Sequence, residues 1–561
     1  MKHIQLKKEI LLGFVGVLLL LWFLVGNILY PALKTFQLSL TEQGSFSLIH
    51  YINILTKDTS VTVIKNSIGI GLLTVIVCGL VGTTLAFFVH YFDFPFKSTI
   101  DKLLLLPIML PGIIIVFSFV QLYGESGLIT KSLEWIFGLE ETPYHFSGLT
   151  GILFVHAYTQ YVYFYISVSI AIKHIDYSTI ECARNLGASK SKIFTSVLFP
   201  FLAPALIASS VMTFMSGIGS FTAPSIIGGR YKVLTTQILL SKANNFMHVA
   251  ATQVVILVCI SLFFFAILSV YEKKAFFIPS VNRVPIEPVK IEKRVPKIFM
   301  AMIGSLLILL VLLPVFTIIL LSFVKSGSWM VNVFPQEFTL ENYIDIATRS
   351  RTFSPFLDSV YMSLLAAVLS VVIAVPSSYI IVKTKSKMKW IIGTLVMLPW
   401  TMPASAIAIN LINAYNEPNF FSFNAVLVGT YLLLPLGYFI KTIPIFVKTT
   451  NLSFQNLNES YLEASKSLGA SQMQTFQRIT LSIISPGVLA GVLLVFVRSI
   501  GEYNLSAFLY TPTNRPISIA MVNAIFEYNI GLAMAYGTLL ITLTAVLSLF
   551  ISKLSGKGSK P

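Results

Sequence analysis

The sequence predicts an all-α polytopic membrane protein with about 12 transmembrane helices, arranged as two parallel six-helix repeats. The chain of 561 residues is 55% hydrophobic and 11% charged, whereas soluble domains carry about 25% charged residues. Apolar runs recur along the whole chain, and its second half repeats features of the first. A single water-soluble globule, a disordered chain and a nucleic-acid module are therefore excluded.

The apolar runs match the thickness of a lipid bilayer. A hydrocarbon core of about 30 Å needs about 20 helical residues. The first run follows Lys2, Lys7 and Lys8, but it is longer than a signal-peptide core and no small-residue cleavage site follows, which favours a retained helix. The predicted spans lie near 10–31, 62–90, 102–122, 149–172, 198–215, 252–271, 298–323, 359–382, 390–413, 423–446, 483–500 and 534–552.

The distribution of charge predicts the orientation of these spans. The net charge is +16, from 39 basic and 23 acidic residues. With the N-terminus in the cytoplasm, most lysines and arginines fall in cytoplasmic segments, as the positive-inside rule requires. The segment Lys383–Lys389 holds four lysines and no acid, which orients the second half independently. Both termini are therefore predicted to be cytoplasmic, and the charge no longer indicates a nucleic-acid partner. The three cysteines, Cys78, Cys182 and Cys259, are too far apart to suggest a disulfide framework or a metal site.

The two halves are copies. An offset of 292 residues (338 − 46) aligns Phe46 with Phe338 and Asn66-Ser67 with Asp358-Ser359, and after the third span the offset becomes 282 (463 − 181). Each copy has an even number of spans, so the copies are parallel and a pathway is expected along their interface. The predicted domains are a first transmembrane domain at 1–271, a proline-rich cytoplasmic linker at 272–297 and a second transmembrane domain at 298–561.

One nine-residue motif occurs in each half, after the fourth span of that half. It reads Glu-Cys-Ala-Arg-Asn-Leu-Gly-Ala-Ser at 181–189 and Glu-Ala-Ser-Lys-Ser-Leu-Gly-Ala-Ser at 463–471. Acids and small residues favour a short helix, Gly187 and Gly469 can take the left-handed turn that ends it, and a second helix resumes. The pattern predicts a helix-turn-helix elbow on the cytoplasmic face of each half. An ordinary capped loop is the alternative for either copy alone, but two equivalent copies favour a docking element.

The motif resembles the EAA motif of membrane subunits of type I ATP-binding-cassette importers, which reads Glu-Ala-Ala, three residues, Gly, and a spacer ending near Leu-Pro. Leu198-Phe199-Pro200 supplies that ending in the first half, while Cys182, Ser465 and Ser482 depart from the pattern. The stretch 338–343 before a span is also similar to these permeases. The resemblance implies that loops 173–198 and 447–482 carry coupling helices, which insert into clefts on a homodimer of nucleotide-binding ATPase subunits. The residues carried over to this role are Glu181, Ala183, Gly187, Glu463, Ala464 and Gly469.

The fused two-copy layout is similar to permeases for ferric iron, thiamine and aminoethylphosphonate. This resemblance implies a bacterial cytoplasmic membrane, an extracytoplasmic solute-binding protein as partner, and a gate region that includes 216–224 and 499–504. Ferric iron is the first choice of cargo by resemblance, and aminoethylphosphonate, thiamine and polyamines are the alternatives.

Polar residues inside apolar spans are candidates for the cargo path, because burying them in lipid is costly. For each of them the alternative is an interhelical hydrogen bond, and Arg498 and Glu502, four residues apart, could form a structural ion pair. The spacing of these residues predicts no catalytic residue and no metal site. The candidates are His156, Gln160, Ser220, Thr222, Arg498, Glu502 and Asn504, and further polar residues in the spans are Gln121, Tyr161, Tyr165, Asn410 and Asn413.

The source of energy is expected to lie outside this chain. The sequence has no Gly-x-x-x-x-Gly-Lys-Ser/Thr loop, and the nearest string, Ser555-Gly556-Lys557, lacks the first glycine. We therefore expect ATP and Mg²⁺ on partner subunits, no cofactor bound by this chain, and a translocation subunit rather than an enzyme. The competing class is a self-sufficient secondary transporter or channel driven by an ion gradient, which also uses internal repeats. Two cytoplasmic elbows, and the lack of a carboxylate-rich membrane centre in the sequence, favour the ATP-driven importer. A membrane scaffold or receptor would need a large extramembrane domain, which the sequence does not contain.

Overall fold

The computed structural model describes residues 14–274, 289–290, 293–329 and 333–557. Nearly all regular structure in these residues is helical, so the predicted all-α membrane fold is confirmed. Lys2, Lys7, Lys8 and most of the predicted linker at 272–297 lie outside the described residues.

Nine helices in the described part of the chain are long and apolar enough to cross a membrane. The first contains a π-helical turn at Val25–Leu29. The nine helices are Phe14–Ser39, Asp58–Tyr91, Gly112–Phe137, Ser191–Ile227, Met247–Leu268, Arg294–Ser322, Ser350–Lys383, Met473–Ile500 and Ile530–Phe550.

A tenth span is bent. The segment predicted near 390–413 forms Met388–Thr401 and Ala404–Tyr415, whose axes differ by 115°. Pro403 lies at this break, and a proline removes a backbone N–H and clashes with the preceding helical turn. By length and composition the described residues therefore contain nine or ten spanning helices, where the sequence predicts about 12.

The two remaining predicted spans are helical but broken or more polar. Near 149–172 the chain forms Gly148–Thr159 and Tyr161–His174, separated by Gln160. Near 423–446 the helix starts only at Leu433, and it contains two lysines. A backbone break or a charge inside the segment lowers the uninterrupted apolar length that an ordinary span needs.

Short elements connect the long helices. Two short strand pairs occur: Thr41–Glu42 is antiparallel to Ser45–Phe46, and Phe92–Asp93 is parallel to Val289–Lys290. Some of the shorter helices are parts of the segments above. The shorter helices are Ile49–Thr56, Lys97–Leu103, Leu106–Met109, Tyr177–Asn185, Lys190–Ile193, Thr222–Ile227, Leu234–Ala243, Glu341–Thr348, Leu398–Thr401, Phe420–Ser422, Leu433–Gln455, Glu459–Ser467, Gln472–Thr475, Ser506–Leu509 and Ile517–Phe526.

The described residues divide into two compact units. The first unit takes the described residues of Met1–Ile52, Ile238–Val255 and Leu340–Pro561, and the second takes Asn53–Gln237 and Ile256–Thr339. Each unit thus combines most of one half with the first helix of the other half. The predicted domain boundaries follow the sequence repeat rather than these packing units, and they stay a prediction.

Hydrogen bonds attach each exchanged helix within its unit. In the first unit the hydroxyl of Tyr415 donates to the carbonyl oxygen of Gly26 and to Oδ1 of Asn27, both at 2.9 Å. In the second unit the hydroxyl of Tyr158 donates to the carbonyl oxygen of Val311 at 2.7 Å. Buried tyrosine hydroxyls need such partners, so these bonds also fix the depth at which the exchanged helices lie.

The repeat is visible in the hydrogen bonds of the two units. The hydroxyl of Ser67 accepts the N–H of Leu234 at 2.7 Å, and that of Ser359 accepts the N–H of Ile517 at 2.8 Å. Ser67 and Ser359 are the pair that the 292-residue offset aligns. The same contact therefore joins the second span to a later segment in both halves.

Candidate functional sites

The first elbow, residues 177–193, consists of two short helices joined by a tight turn. Its first helix, Tyr177–Asn185, begins at Asp176, whose carboxylate accepts the N–H of Ser178 at 3.1 Å and its hydroxyl at 2.8 Å. A carboxylate at this position satisfies an N–H group that has no partner within the helix. The second helix is Lys190–Ile193.

The second elbow, residues 459–475, repeats this structure at an offset of 282 (459 − 177). Its helices are Glu459–Ser467 and Gln472–Thr475. The side chain of Asn458 accepts the N–H of Ser460 at 3.1 Å. A capping side chain therefore starts both elbows, although the residue type differs.

The left-handed turn predicted from the sequence is present in both elbows. Gly187 and Gly469 each have φ of +78°, a conformation that glycine adopts without steric cost. The N–H of the residue after each glycine donates to a carbonyl five residues earlier, that of Ala183 at 3.0 Å and that of Ser465 at 3.1 Å. This pattern of a positive φ and a returning bond ends a helix and redirects the chain.

Each elbow exposes a leucine at its turn and a carboxylate on its first helix. The leucine before each glycine is almost fully exposed, Leu186 at 87% and Leu468 at 88%. Glu181 and Glu463 are also exposed, and among the described residues neither forms an ion pair. Both elbows therefore expose a leucine and a carboxylate at equivalent positions, which are available to a partner.

The two elbows differ in the burial of one alanine and in the contact between their two helices. Ala183 is half-buried, whereas Ala464 is exposed. In the second elbow the hydroxyls of Ser465 and Thr475 lie 2.8 Å apart and join its two helices. A cavity of about 450 Å³ borders this elbow and is lined in part by Thr475 and Tyr379.

His156 is the centre of a buried hydrogen-bond network. It lies in the Gly148–Thr159 helix and is 2% exposed. Its Nδ1 is 2.8 Å from the hydroxyl of Thr74 and its Nε2 is 2.9 Å from that of Ser220. The carbonyl oxygen of Ser220 accepts the hydroxyl of Thr235 at 2.7 Å. The structure thus brings His156 and Ser220 together as hydrogen-bond partners, with Ser220 between the helices that end at Ile218 and begin at Thr222.

Three other candidates lie at ends or breaks of helices. Gln160 separates two helices and is buried, and within the described part of the chain its Oε1 has no hydrogen-bond partner. Thr222 begins the Thr222–Ile227 helix, and its carbonyl oxygen accepts the hydroxyl of Ser225 at 2.9 Å. Asn504 is half-buried. Of the three, Gln160 most needs an explanation, because a buried polar atom without a partner is uncommon.

Glu502 forms its ion pair with a residue that the sequence did not suggest. Its Oε2 lies 2.5 Å from Nζ of Lys441, which projects from the Leu433–Gln455 helix. The suggested pairing of Glu502 with Arg498 is therefore wrong, and Arg498 is exposed. Helical spacing identifies only neighbours on the same helix. The carboxylate of Glu502 is instead neutralised by Lys441, which belongs to the adjacent Leu433–Gln455 helix.

Sequence reasoning missed two functional candidates, Tyr438 and Lys441. Tyr438 follows His156 by 282 residues (438 − 156), and its hydroxyl lies 2.7 Å from that of Ser506. The repeat offset could have identified Tyr438 as the counterpart of His156. Lys441 gave only the weaker signal of a lone cation inside a predicted span.

Most of the further polar residues fit the interhelical interpretation. Gln121 and Asn410 are buried. Groups of three or more His, Cys, Asp or Glu side chains that could hold a metal ion are not found in the described ranges. The observed bonds are Tyr161 to the Leu104 carbonyl at 2.7 Å, Tyr165 to Asp101 at 2.5 Å, Asn413 to Thr35 at 3.1 Å and Asn410 to Met402 Sδ at 3.8 Å.

A duplicated helical membrane protein with an equivalent elbow in each half has the layout of a transport permease. Comparison with known proteins identifies the family: the binding-protein-dependent transport system inner membrane component matches residues 76–275 and 366–556. The chain belongs to this family, and it is a multi-pass permease component of an ATP-binding-cassette importer. Membership implies ATPase and solute-binding partners.

Relatives that align with all or part of the chain support this assignment. The chain is 28% identical to the Probable ABC transporter permease protein of Sinorhizobium fredii, across 97% of this chain and 96% of that protein. It is 24% identical to the ferric transport system permease protein of Actinobacillus pleuropneumoniae, across 99% of this chain and 80% of that protein. It is also 24% identical to the sulfate transport system permease protein of Salmonella typhimurium, across 30% of this chain and 62% of that protein.

Proposed function

We propose that this chain forms the translocation pathway of an ATP-driven, binding-protein-dependent importer of ferric iron or a similar small solute. The observation that carries the proposal is the pair of elbows, alike in cap, turn and exposed leucine although 282 residues apart. Two equivalent surfaces suit two equivalent partner subunits, because a symmetric partner binds the same patch twice.

The elbows are the points at which this chain would couple to ATP hydrolysis. A homodimer of nucleotide-binding subunits, which hold ATP and Mg²⁺, would receive the residues around Glu181 and Gly187 in one cleft and those around Glu463 and Gly469 in the other. Closure of that dimer would move both halves between inward-facing and outward-facing states. A loaded extracytoplasmic binding protein would supply the differential affinity that such a population shift requires.

This mechanism places both elbows and both termini in the cytoplasm, with the chain in the bacterial cytoplasmic membrane. The lysine-rich segment Lys383–Lys389 supports this orientation through the positive-inside rule. The path residues would then come from the polar set His156, Gln160, Ser220, Thr222, Arg498, Glu502 and Asn504.

Ferric iron is the preferred cargo because the ferric relative aligns with nearly the whole chain, whereas the sulfate relative aligns with less than a third of it. Aminoethylphosphonate, thiamine and polyamines are the alternatives. Uptake of ⁵⁵Fe by cells with and without the gene tests the choice. Loss of iron uptake on deletion supports ferric iron as the cargo. Loss of phosphonate, thiamine or polyamine uptake, with iron uptake intact, identifies that solute as the cargo instead.

The coupling role is tested by reversing the charge of both exposed carboxylates, with Glu181→Lys and Glu463→Lys in one chain. We expect the ATPase subunits to dissociate from the purified permease and uptake to fall with them. Glu141→Lys, an equally exposed carboxylate in the predicted outer loop, is the matched control. Assembly and uptake unchanged in the double variant would remove the coupling role, and uptake driven by an ion gradient without ATPase subunits would favour the secondary transporter.

A further inference from the structure

Two neighbouring helices of the second half carry an unusual excess of positive charge. Leu433–Gln455 contains Lys441 and Lys448, and Leu481–Ile500 contains Arg498. Neither helix contains an aspartate or a glutamate. Lys441 and Arg498 fall inside the predicted spans 423–446 and 483–500, where a cation is costly, and Lys448 lies two residues beyond the end of the first of these spans. This concentration of cations on two adjacent helices requires an explanation.

All three cations are accessible in the folded chain. The side chain of Lys441 is 32% exposed, and Lys448 and Arg498 fall in the exposed class. An ionised side chain at membrane depth faces a water-filled cavity far more often than lipid. Since most of the Leu433–Gln455 helix is buried, its accessible cations lie on the side that the neighbouring helices leave uncovered, and we assign this side to the water-filled pathway.

Helix geometry places the cations at successive depths. Lys441 is level with Glu502 because the two side chains are paired. Arg498 lies one turn before Glu502, about 6 Å further along the bundle, and Lys448 lies about 10 Å beyond Lys441 at the helical rise of about 1.5 Å per residue. The three cations therefore form a descending series, which we call the cation ladder.

Of the three cations in the ladder, only Lys441 is paired with an anion among the described residues. Glu502 neutralises Lys441. Lys448 lies over the ring of Trp400, with Nζ 4.5 Å from the ring centroid, a contact that stabilises the cation without cancelling its charge. Arg498 forms no ion pair with any residue that the structure describes.

The first half has no ladder. At the 282-residue offset, the counterparts of Lys441, Lys448 and Arg498 are Thr159, Ile166 and Ser216. Six-helix packing of this kind therefore does not need cations at these positions, because the first half forms the equivalent helices with neutral residues. A requirement of the cargo explains the charge better than a requirement of the fold.

We propose that the cation ladder guides an anionic cargo, so that the solute crosses as an oxygen-rich anion and ferric iron crosses as an anionic chelate rather than as a bare cation. This proposal rests on the proposed function, because it assigns a charge to the species that uses the pathway. Positive charge along a low-dielectric channel concentrates anions and repels a trivalent cation.

A direct test uses the full chain in lipid nanodiscs, without partners or transport. The fluorescence of Trp400, which lies against Lys448, is isolated by subtracting the signal of Trp400→Phe from that of the wild type. Its quenching by iodide is then compared with its quenching by caesium. We expect iodide to quench Trp400 better than caesium, and Lys448→Gln or Arg498→Gln to reduce the iodide preference by about twofold or more. Lys387→Gln, at an exposed lysine of the segment Lys383–Lys389, should leave it unchanged. Equal quenching by both ions, or a preference unaffected by either variant, overturns the proposal.

A second test measures uptake in cells. ⁵⁵Fe is supplied as its citrate complex, and ¹⁴C-spermidine serves as the cationic comparison. Arg498→Gln should lower uptake of the iron citrate by about tenfold or more, the lower end of the effect of charge focusing, while Arg498→Lys should retain most of it. Unchanged iron uptake in Arg498→Gln, or import of spermidine that falls by the same factor as iron uptake in this variant, overturns the proposal.

Failure of the anionic-cargo proposal can be distinguished from failure of the proposed importer function. Co-purification of the ATPase subunits with each ladder variant shows whether the importer still assembles. If the wild type does not import solute by ATP hydrolysis, the proposed function is wrong. The iodide preference of Trp400 still shows whether the ladder attracts anions.

Discussion

Leu186 and Leu468 occupy the same position in two turns that lie 282 residues apart, and each exposes nearly nine-tenths of its surface. Each leucine is followed by a glycine at φ +78°, so the turn holds it outward at the tip of its elbow. A large apolar side chain held on the surface in duplicate is typical of an interface anchor. The carboxylates stand on the preceding helix and would set specificity rather than supply most of the binding energy.

Replacing a tip leucine by a charged residue should detach the ATPase subunits. An anchor side chain in an interface contributes about 2 kcal/mol or more, which corresponds to roughly a 30-fold loss of affinity. Leu186→Asp and Leu468→Asp should each weaken co-purification of the ATPase subunits, and the double variant should abolish it. Leu186→Ala should have a smaller effect of the same sign.

Leu139→Asp is the control for these leucine variants, because Leu139 is exposed but lies in the predicted outer loop. It should purify with its ATPase subunits as the wild type does. Full retention of those subunits by the double leucine variant would show that the tips are not anchors.

The two turn glycines should resist substitution by alanine. A left-handed conformation costs a residue with a Cβ about 1 to 2 kcal/mol. Among the described residues, none beyond the glycine's own chain neighbours has an atom within 4 Å of the position that a Cβ would take at Gly187 or Gly469. The cost is therefore conformational. In Gly187→Ala and Gly469→Ala, hydrogen exchange of the elbow amides should accelerate by about fivefold or more, since about 1 kcal/mol is lost locally.

Gly393→Ala provides the matched comparison. Gly393 also has no atom near its missing Cβ, but it lies within the Met388–Met397 helix without a positive φ. Exchange there should slow, because alanine is the better helix former. Identical responses at Gly187 and Gly393 would contradict the conformational explanation.

The elbows could be predicted from the sequence because their determinants are local. The glycine, the cap and the short helix of each elbow lie within about a dozen residues, and Gly187 and Gly469 adopt the predicted turn. The spans were predictable in position for the same reason, since hydropathy is also a local property. The break at Pro403 shows the limit, because a helix can bend at a proline or continue through it and hydropathy does not decide between the two.

The polar contacts of the membrane helices could not be predicted in the same way. Glu502 lies four residues after Arg498, which made that pair the obvious choice, but its partner Lys441 is 61 residues away in sequence. Likewise, the partners of His156 are 82 and 64 residues away. Only the packing of helices brings such residues together, and single-sequence periodicity carries no information about which helix faces which.

Removing the imidazole of His156 should destabilise the protein. In His156→Phe, the hydroxyls of Thr74 and Ser220 lose a buried partner, and a buried polar group left without one costs about 1 to 3 kcal/mol. The melting temperature of the purified full chain should fall, as measured by intrinsic fluorescence in detergent. Tyr438→Phe removes a single hydroxyl bond and should cost less, about 1 kcal/mol. An unchanged melting temperature in His156→Phe would show that the network contributes nothing to stability.

The native cysteines allow the side of the first elbow to be measured. Cys182 is exposed at the first elbow, Cys78 is buried, and Cys259 is exposed on the Met247–Leu268 helix, where lipid would exclude a charged reagent. A membrane-impermeant maleimide should label the protein in inside-out vesicles but not in intact cells. Because reaction requires access to the thiolate, labelling should be lost in Cys182→Ser, and docking of purified ATPase subunits should slow it. Glu141→Cys in the Cys182→Ser background should show the opposite sidedness. Labelling of Cys182 in intact cells would place the elbow outside, and with it both the predicted orientation and the coupling role would fail.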